Sequence, residues 1–256
     1  MSDPAPADAT SPATMPAAPR RGRRVPERAQ RPPRSLSRTA IIDAALAVLD
    51  AEGLSAVTMR RVAEQLGTGP ASLYAHFADK EEMVDAVFDR VAHEVTIPDR
   101  VDPEHWQDQL KELMHDVWVT LRRHRDIARA GLGKVPTGEG ALRAVEAMLG
   151  LMRAGGVSEG VAGFSVDVLA LYVTASAFED SLGTFPTDEA EAVEFHREMG
   201  AYFASLPTER FPNLVAMAAA VTEPGGDDRF EFGLDLLIRG IASTVDHDPP
   251  ATAPPR

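Results

Sequence analysis

The sequence contains no cysteine. That excludes a disulfide framework, a thiol nucleophile and a cysteine-based zinc site. It contains no uninterrupted run of about 18 apolar residues, so no membrane span is expected. Its N-terminal stretch has no apolar segment of the kind a secretory signal carries, and a cytoplasmic protein is the expectation. Catalytic signatures are also missing. The only approach to H-E-x-x-H is the H-R-E-M beginning at His196, which is not one. Gly131-Leu132-Gly133-Lys134 lacks the spacing of a P-loop, the Ser or Thr after its lysine and a preceding strand. The seven histidines are scattered without metal-ligand spacing. No catalytic residue, cofactor or metal site is therefore assigned. No stretch alternates with period two, so no sheet is expected and the fold class is all-α.

The charge is unevenly placed. The chain carries a formal net charge of −13, which is the wrong sign for a partner made of phosphates. Residues 20–80, however, hold 11 Lys and Arg against 6 Asp and Glu, a local +5, while residues 81–256 hold 15 against 31, a local −16. This asymmetry points to a basic N-terminal part facing nucleic acid and an acidic body facing away. An architectural, non-specific DNA protein would have a basic body throughout, and this body is acidic.

Within the basic part, residues 57–80 read V-T-M-R-R-V-A-E-Q-L-G-T-G-P-A-S-L-Y-A-H-F-A-D-K. Thr58 is a suitable N-cap for a helix from Met59 to about Leu66, with Val62, Ala63 and Leu66 on its apolar face. Gly67 stands where the chain must leave that helix with φ > 0. Pro70 fits the first turn of a second, short helix covering Ala71 to Phe77, with Leu73 and Phe77 inward. A third begins at Asp79. Two short helices joined by a tight Gly-containing turn make a helix-turn-helix, and the short second helix fits a major groove about 12 Å wide. On its outer side Ser72 can meet a base edge, and Pro70 or Ala71 a thymine methyl. Thr58, Tyr74, His76 and Lys80 can reach phosphates, which sets register without reading sequence. Taken singly, each is equally well read as a solvated polar residue on a small bundle.

The pattern T-x-R-x-V-A-x-x-L-G-x-x-x-x-S-L-Y-x-H-F-x-x-K over residues 58–80 resembles the DNA-binding region of TetR-family transcriptional regulators, and the likeness extends over about residues 37–95. It implies DNA contacts at Thr58, Arg60, Pro70, Ala71, Ser72, Tyr74, His76 and Lys80. Ala75 departs from the family, whose members often carry a larger side chain there, so base readout is expected to be sparse. R-F-E-F-G-L-D-L-L-I-R-G-I, residues 229–241, is similar to the last helix of a tetracycline-repressor-like C-terminal domain.

Around this segment the chain divides into four parts. Residues 1–34 are rich in Ala, Pro and Arg and are expected to be a disordered arm; Arg20, Arg21, Arg23, Arg24, Arg28, Arg31 and Arg34 make it basic. The arm either tracks phosphates or only solubilises. Residues 35–97 form the three-helix DNA-binding domain with its trailing helix from Asp79 to about Val95. Residues 98–246 form a helical ligand-binding and dimerisation domain, and residues 247–256 a disordered tail. Helices are expected over residues 102–124, 127–132, 139–154, 158–182, 188–206, 211–221 and 228–244. Residues 158–182 are apolar nearly all round, as in a helix buried on two sides. Pairing of residues 158–182 and 228–244 with their symmetry mates would build a four-helix dimer interface, as the resemblance also implies.

Trp106, Met114, Trp118, Met148, Met152, Phe164, Tyr172 and Phe178 are candidates to line a small-molecule cavity between these helices, although most such residues are core filler. His115, His124, Asp167 and Thr174 are the polar groups that could orient a ligand. The expected function is that of a DNA-binding regulator. It would act as a homodimeric repressor on a palindromic operator in double-stranded DNA, released by a small-molecule effector, with no membrane partner and placed in the cytoplasm on the nucleoid. A ligand-independent or activating regulator is the alternative, and an all-α enzyme the more distant one.

Overall fold

The computed structural model describes residues 36–182, 189–222 and 226–245. The expectations for the basic arm and for the tail lie outside the described residues. Helix α1 spans Arg38–Glu52 and starts where Ser37 Oγ accepts from the Ala40 N–H at 3.1 Å. It buries Ile41, Ala45, Leu46, Val48 and Leu49. After Gly53 the chain makes one 3-10 turn at Leu54–Ala56, which the sequence pattern did not announce. Helix α2 (Met59–Gln65) is capped by Thr58 Oγ1, which accepts from the Arg61 N–H at 3.1 Å. Helix α3 is Pro70–Leu73, and α4 is Lys80–Ala92. Helix α4 packs against α1 and continues the core through Met83, Val84, Val87 and Val91.

The remaining helices are α5 (Trp106–Arg123), α6 (Ala128–Gly131), α7 (Glu139–Ala154), α8 (Glu159–Ser181), α9 (Glu189–Ala204), α10 (Pro212–Ala216), α11 (Ala218–Thr222) and α12 (Gly226–Ala242). No strand occurs among the described residues, and the fold class is all-α. Helices α5 and α8 lie at the centre, with α7 and α12 against both of them; α6 packs on α8, and α9 packs on α10 and α11. Helix α4 touches α5, α6 and α7, and so belongs to the core on both sides of residue 97.

Four details differ from expectation. Helix α3 has four helical residues, because the His76 and Phe77 N–H groups both close on the Leu73 carbonyl and turn the chain out of the helix. Helix α5 begins at Trp106, since Asp102 is spent on a turn: its carboxylate accepts from the Glu104 N–H at 3.0 Å. Helix α12 begins at Gly226, so Asp228 and Glu231 lie inside it, and Glu231 pairs with Lys111 at 3.0 Å instead of capping. Helix α8 is by length and composition apolar enough to cross a membrane. It buries one stripe, Ala162, Ser165, Leu169, Val173 and Ala177. Its other side, with Phe164, Val168 and Leu171, is exposed rather than packed.

Candidate nucleic-acid interface and ligand cavity

The turn between α2 and α3 is built by backbone hydrogen bonds. The Thr68 N–H donates to the Ala63 carbonyl at 2.9 Å and the Gly67 N–H to the Glu64 carbonyl at 3.1 Å. Gly67 takes φ +65°, the left-handed value the pattern predicts there. This paired closure is a Schellman motif, and it fixes the angle at which α3 leaves α2. Pro70 occupies the first helical turn of α3. Leu73 and Phe77 are fully buried beneath α3 and the turn after it.

This packing leaves the predicted contact residues on the outside in varying degree. Arg60, Pro70, Ala71 and Tyr74 are exposed, while Thr58, Ser72, His76 and Lys80 are half-buried. Ser72 is engaged within the turn: its hydroxyl donates to the Gly69 carbonyl at 2.5 Å and lies 2.8 Å from Thr68 Oγ1. Meeting a base would require that hydroxyl to rotate. Arg60 pairs with Glu64 one turn on, at 2.9 Å. Lys80 opens α4, whose start is fixed by acids: Asp79 accepts from the Glu82 N–H at 2.8 Å inside the helix, and Glu82 from the Ala78 N–H at 2.7 Å just before it.

Arg38 is a residue the sequence reading passed over. Its guanidinium stacks 4.1 Å from the centre of the Phe77 ring. It also donates to the His76 carbonyl at 2.6 Å and to Glu82 at 3.0 Å. It thereby ties α1 to the end of α3 and the start of α4. The Ala78 N–H foremost, and then Arg38, hold the Glu82 carboxyl below the usual glutamate range.

A second tie runs from the α5–α6 corner to the end of α1. Arg125 adopts φ +42° and donates to the Ala51 carbonyl at 2.6 Å. Asp126 accepts from the Leu54 N–H at 2.7 Å. The His124 ring lies between Asp50, at 3.0 Å, and Glu94, at 3.1 Å.

Beyond α4 the helices enclose a cavity of about 170 Å³. Asp85, Phe88 and Asp89 of α4 form one wall, Met114 and Thr120 of α5 another, and Met148 of α7 and Thr174 of α8 close it. Lys134 and Thr137, in the α6–α7 loop, stand at its rim. Two features lock α4 to this wall. Asp89 accepts from the Gly140 N–H at 2.8 Å and the Ala141 N–H at 3.2 Å, and so caps α7 from another helix. Lys134 pairs with Asp85. The close approach needs glycine: a side chain on Gly140 would press on the Asp89 backbone oxygen at 2.6 Å, and one on Gly131 on the Phe88 ring at the same distance.

Of the predicted cavity residues, Met114 and Met148 are in this wall. Trp118 and Tyr172 sandwich Phe230 instead, with centroids 4.1 and 5.6 Å from its ring, and the Tyr172 hydroxyl donates to the Phe230 carbonyl at 2.9 Å. Burial above all raises the pKa of that phenol. Trp106 lies against Gly155 in the α7–α8 turn. Met152 is in the core, Phe178 is packed half-buried against it, and Phe164 is 76% exposed. Among the polar candidates Thr174 reaches the cavity, His115 lies 3.5 Å from Glu231, and Asp167 is exposed. Asp89 and Thr120 are not marked by the sequence pattern, and Phe88 and Lys134 are not marked as cavity residues. The available signals were Thr120 as a polar residue within the apolar stripe of α5, and Asp85 and Asp89 one turn apart on α4.

Comparison with known proteins gives a consistent result. Residues 41–87 match the model of bacterial regulatory proteins of the tetR family, and residues 98–245 that of the tetracyclin repressor-like C-terminal domain. The HTH-type transcriptional repressor DrrR1 of Streptomyces coeruleorubidus is 27% identical over 227 residues, covering 88% of this chain and 83% of that protein. Apo ActR of Streptomyces coelicolor is 38% identical with a TM-score of 0.74, over 82% of this chain and 97% of that one. ActR in complex with actinorhodin is 39% identical with a TM-score of 0.75, over 83% and 98%.

Proposed function

The chain belongs to the tetR family of bacterial regulatory proteins, DNA-binding regulators of transcription and not enzymes, and from that premise we propose that it is a homodimeric repressor. It binds a palindromic operator through α2 and α3 and is released when a small molecule enters the cavity behind α4. The observation that carries this reading is the double role of α4. Its first turn carries Lys80, just after the reading helix in the chain, and its following turns supply Asp85, Phe88 and Asp89 to the cavity wall. A ligand that alters the wall alters the angle of α4. It shifts the DNA affinity only in so far as it binds the two settings of α4 differently.

In this reading Thr58, Arg60, Tyr74, His76 and Lys80 serve phosphates, while Pro70, Ala71 and Ser72 face the bases. The reading unit takes in residues 35–97, and residues 98–246 carry the dimer interface and, together with α4, the cavity. The apolar faces left open on α8 (Phe164, Val168, Leu171) and α12 (Phe232, Leu236) support a two-fold four-helix contact. Such a dimer sets its two reading helices about 34–36 Å apart, or a small multiple of that, to match the operator half-sites. The repressor works on chromosomal DNA in the cytoplasm. Its kinship with DrrR1, named a repressor, and with ActR, solved with actinorhodin, supports both the sense of regulation and a small-molecule trigger.

Selection of duplexes from a random DNA pool with the full-length protein tests the core of this reading. One recovered palindrome with fixed half-site spacing is the expected result. Enrichment of no sequence, with binding lost at moderate salt, overturns it.

A further inference from the structure

The folded reading unit is poor in free positive charge. Residues 36–80 hold four Lys and Arg against five Asp and Glu, whereas residues 20–35 hold seven Arg against Glu27. The local excess of cations is therefore not in the helices. Three of the four cations that the helices do carry are spent within the fold. Arg38 pairs with Glu82 at 3.0 Å, Arg60 with Glu64 at 2.9 Å and Arg61 with Glu52 at 2.6 Å. Of the four, Lys80 is the one that forms no ion pair among the described residues.

These pairs limit what the helices can contribute. An arginine that turns from its carboxylate to a phosphate leaves that carboxylate close to the same phosphate, and the net Coulomb gain is small. The sequence-independent part of DNA binding comes from phosphates neutralised and counter-ions released. Residues 81–256 oppose it with a local −16, and Lys80 offers little against that field. The cations that can offset it are the arginines of residues 20–34. The chain also delivers them to the DNA-facing end. Ser37 caps α1, and Arg38 donates to the His76 carbonyl in the turn after α3. At about 3.3–3.6 Å per residue, covalent reach keeps Arg34 within about 14 Å of Arg38 and Arg20 within about 65 Å. The segment can thus span several phosphates starting from the reading helix.

We propose that the arginines of residues 20–34 are the electrostatic part of the DNA interface, engaging phosphates of the duplex outside the bases read by α3. The inference rests on α2 and α3 being the operator-reading unit, and it divides the work between two parts of the chain. The folded helices supply register and sequence reading. The arginines supply most of the salt-dependent affinity.

Fluorescence anisotropy of a labelled random-sequence duplex, followed over a series of salt concentrations, tests this with the full-length protein. In one variant the seven arginines are neutralised together, from Arg20→Gln to Arg34→Gln; in a second all seven are changed to Lys. The neutral variant should lose at least about three units of the slope of log K against log salt, the loss expected if half of the arginines reach phosphates at about 0.9 unit each. The lysine variant should keep the slope. Tm should be the same in all three proteins, since residues 36–245 are untouched. A slope in the neutral variant within about one unit of wild type overturns the proposal. Tighter DNA binding by that variant also overturns it, and is the result if the arginines pair with the acidic body of their own chain. Loss of the slope in the lysine variant, or no binding of the duplex by the wild type, overturns it as well. The random duplex carries no operator, so this readout is independent of sequence selection. A slope that depends on the arginines in a protein that selects no palindrome keeps this inference and sinks the repressor reading. A selected palindrome, with the slope unchanged in the neutral variant, does the reverse.

Discussion

At the scale of single residues, the proposed interface divides into separable tasks. Lys80 sits at the start of α4 with no direct part in the core. Lys80→Ala should lower the slope of log K against log salt by about one unit, and Tyr74→Ala should weaken binding to all sequences alike; a filter-binding series over several salt concentrations reads both. An unchanged slope removes Lys80 from the phosphate contacts. Glu82 acts within the fold. Its pKa is depressed by the Ala78 N–H and by Arg38, so its contribution to stability is present at neutral pH and is lost as pH falls through and below the ordinary glutamate range. Glu82→Gln should therefore melt below wild type at pH 7, and the gap should close toward pH 3.5. A gap that widens with acid would show that Glu82 is not the carboxylate that matters. These roles differ in legibility. Thr58, Gly67 and Asp79 could be read from sequence because capping and left-handed turns demand few residue types. Arg38 could not, since its partners, His76, Phe77 and Glu82, lie about 40 positions away and nothing local announces them.

At the scale of elements, α4 and α7 form one mechanical unit. The N-cap position of α7 is Gly138, which has no side chain to offer, and Asp89 does the capping from α4. Asp89→Ala should cost about 0.5–2 kcal/mol, read as a fall in Tm of about 2–4 °C per kcal/mol. Asp89→Asn, whose amide oxygen still accepts, should lose less. Gly138→Ala sets a methyl against Asp89 and should destabilise by about 1–3 kcal/mol; wild-type stability in this variant would mean that α7 and α4 can part at little cost. Helix existence was legible throughout, because periodic apolar positions such as Leu110, Leu113, Val117 and Leu121 survive any tertiary arrangement. Helix ends were less so. Asp228 and Glu231 imitate a cap, but the helix continues past them to Gly226 because Glu231 is drawn to Lys111. The cavity residues were the least legible. Aromatics and methionines mark apolar volume, yet Trp118 and Tyr172 close on Phe230, and the space opens beside small residues such as Gly131 and Ala144.

For the molecule as a whole, α8 and α12 each leave large apolar side chains open along one face. Phe164 is 76% exposed, Phe232 66% and Leu236 55%, an arrangement that a lone chain in water would not keep without a partner. Phe164→Asp combined with Leu236→Asp should convert the proposed dimer to monomer, as sedimentation would show. Operator affinity should fall steeply, since a single half-site then has to bind alone. Dimers that persist in this double variant would place the interface elsewhere.

The sharing of Asp89 between two helices also bears on how such a protein can diverge. A lineage that acquires a new effector is free to exchange Val117, Thr120, Val145 or Thr174, each of which touches the cavity without carrying a helix end. Asp89 has less freedom, because any change that removes its acceptor oxygen would uncap α7 in the same step. Novelty in recognition should therefore accumulate on α5, α7 and α8, while the α4 side of the chamber is inherited nearly intact.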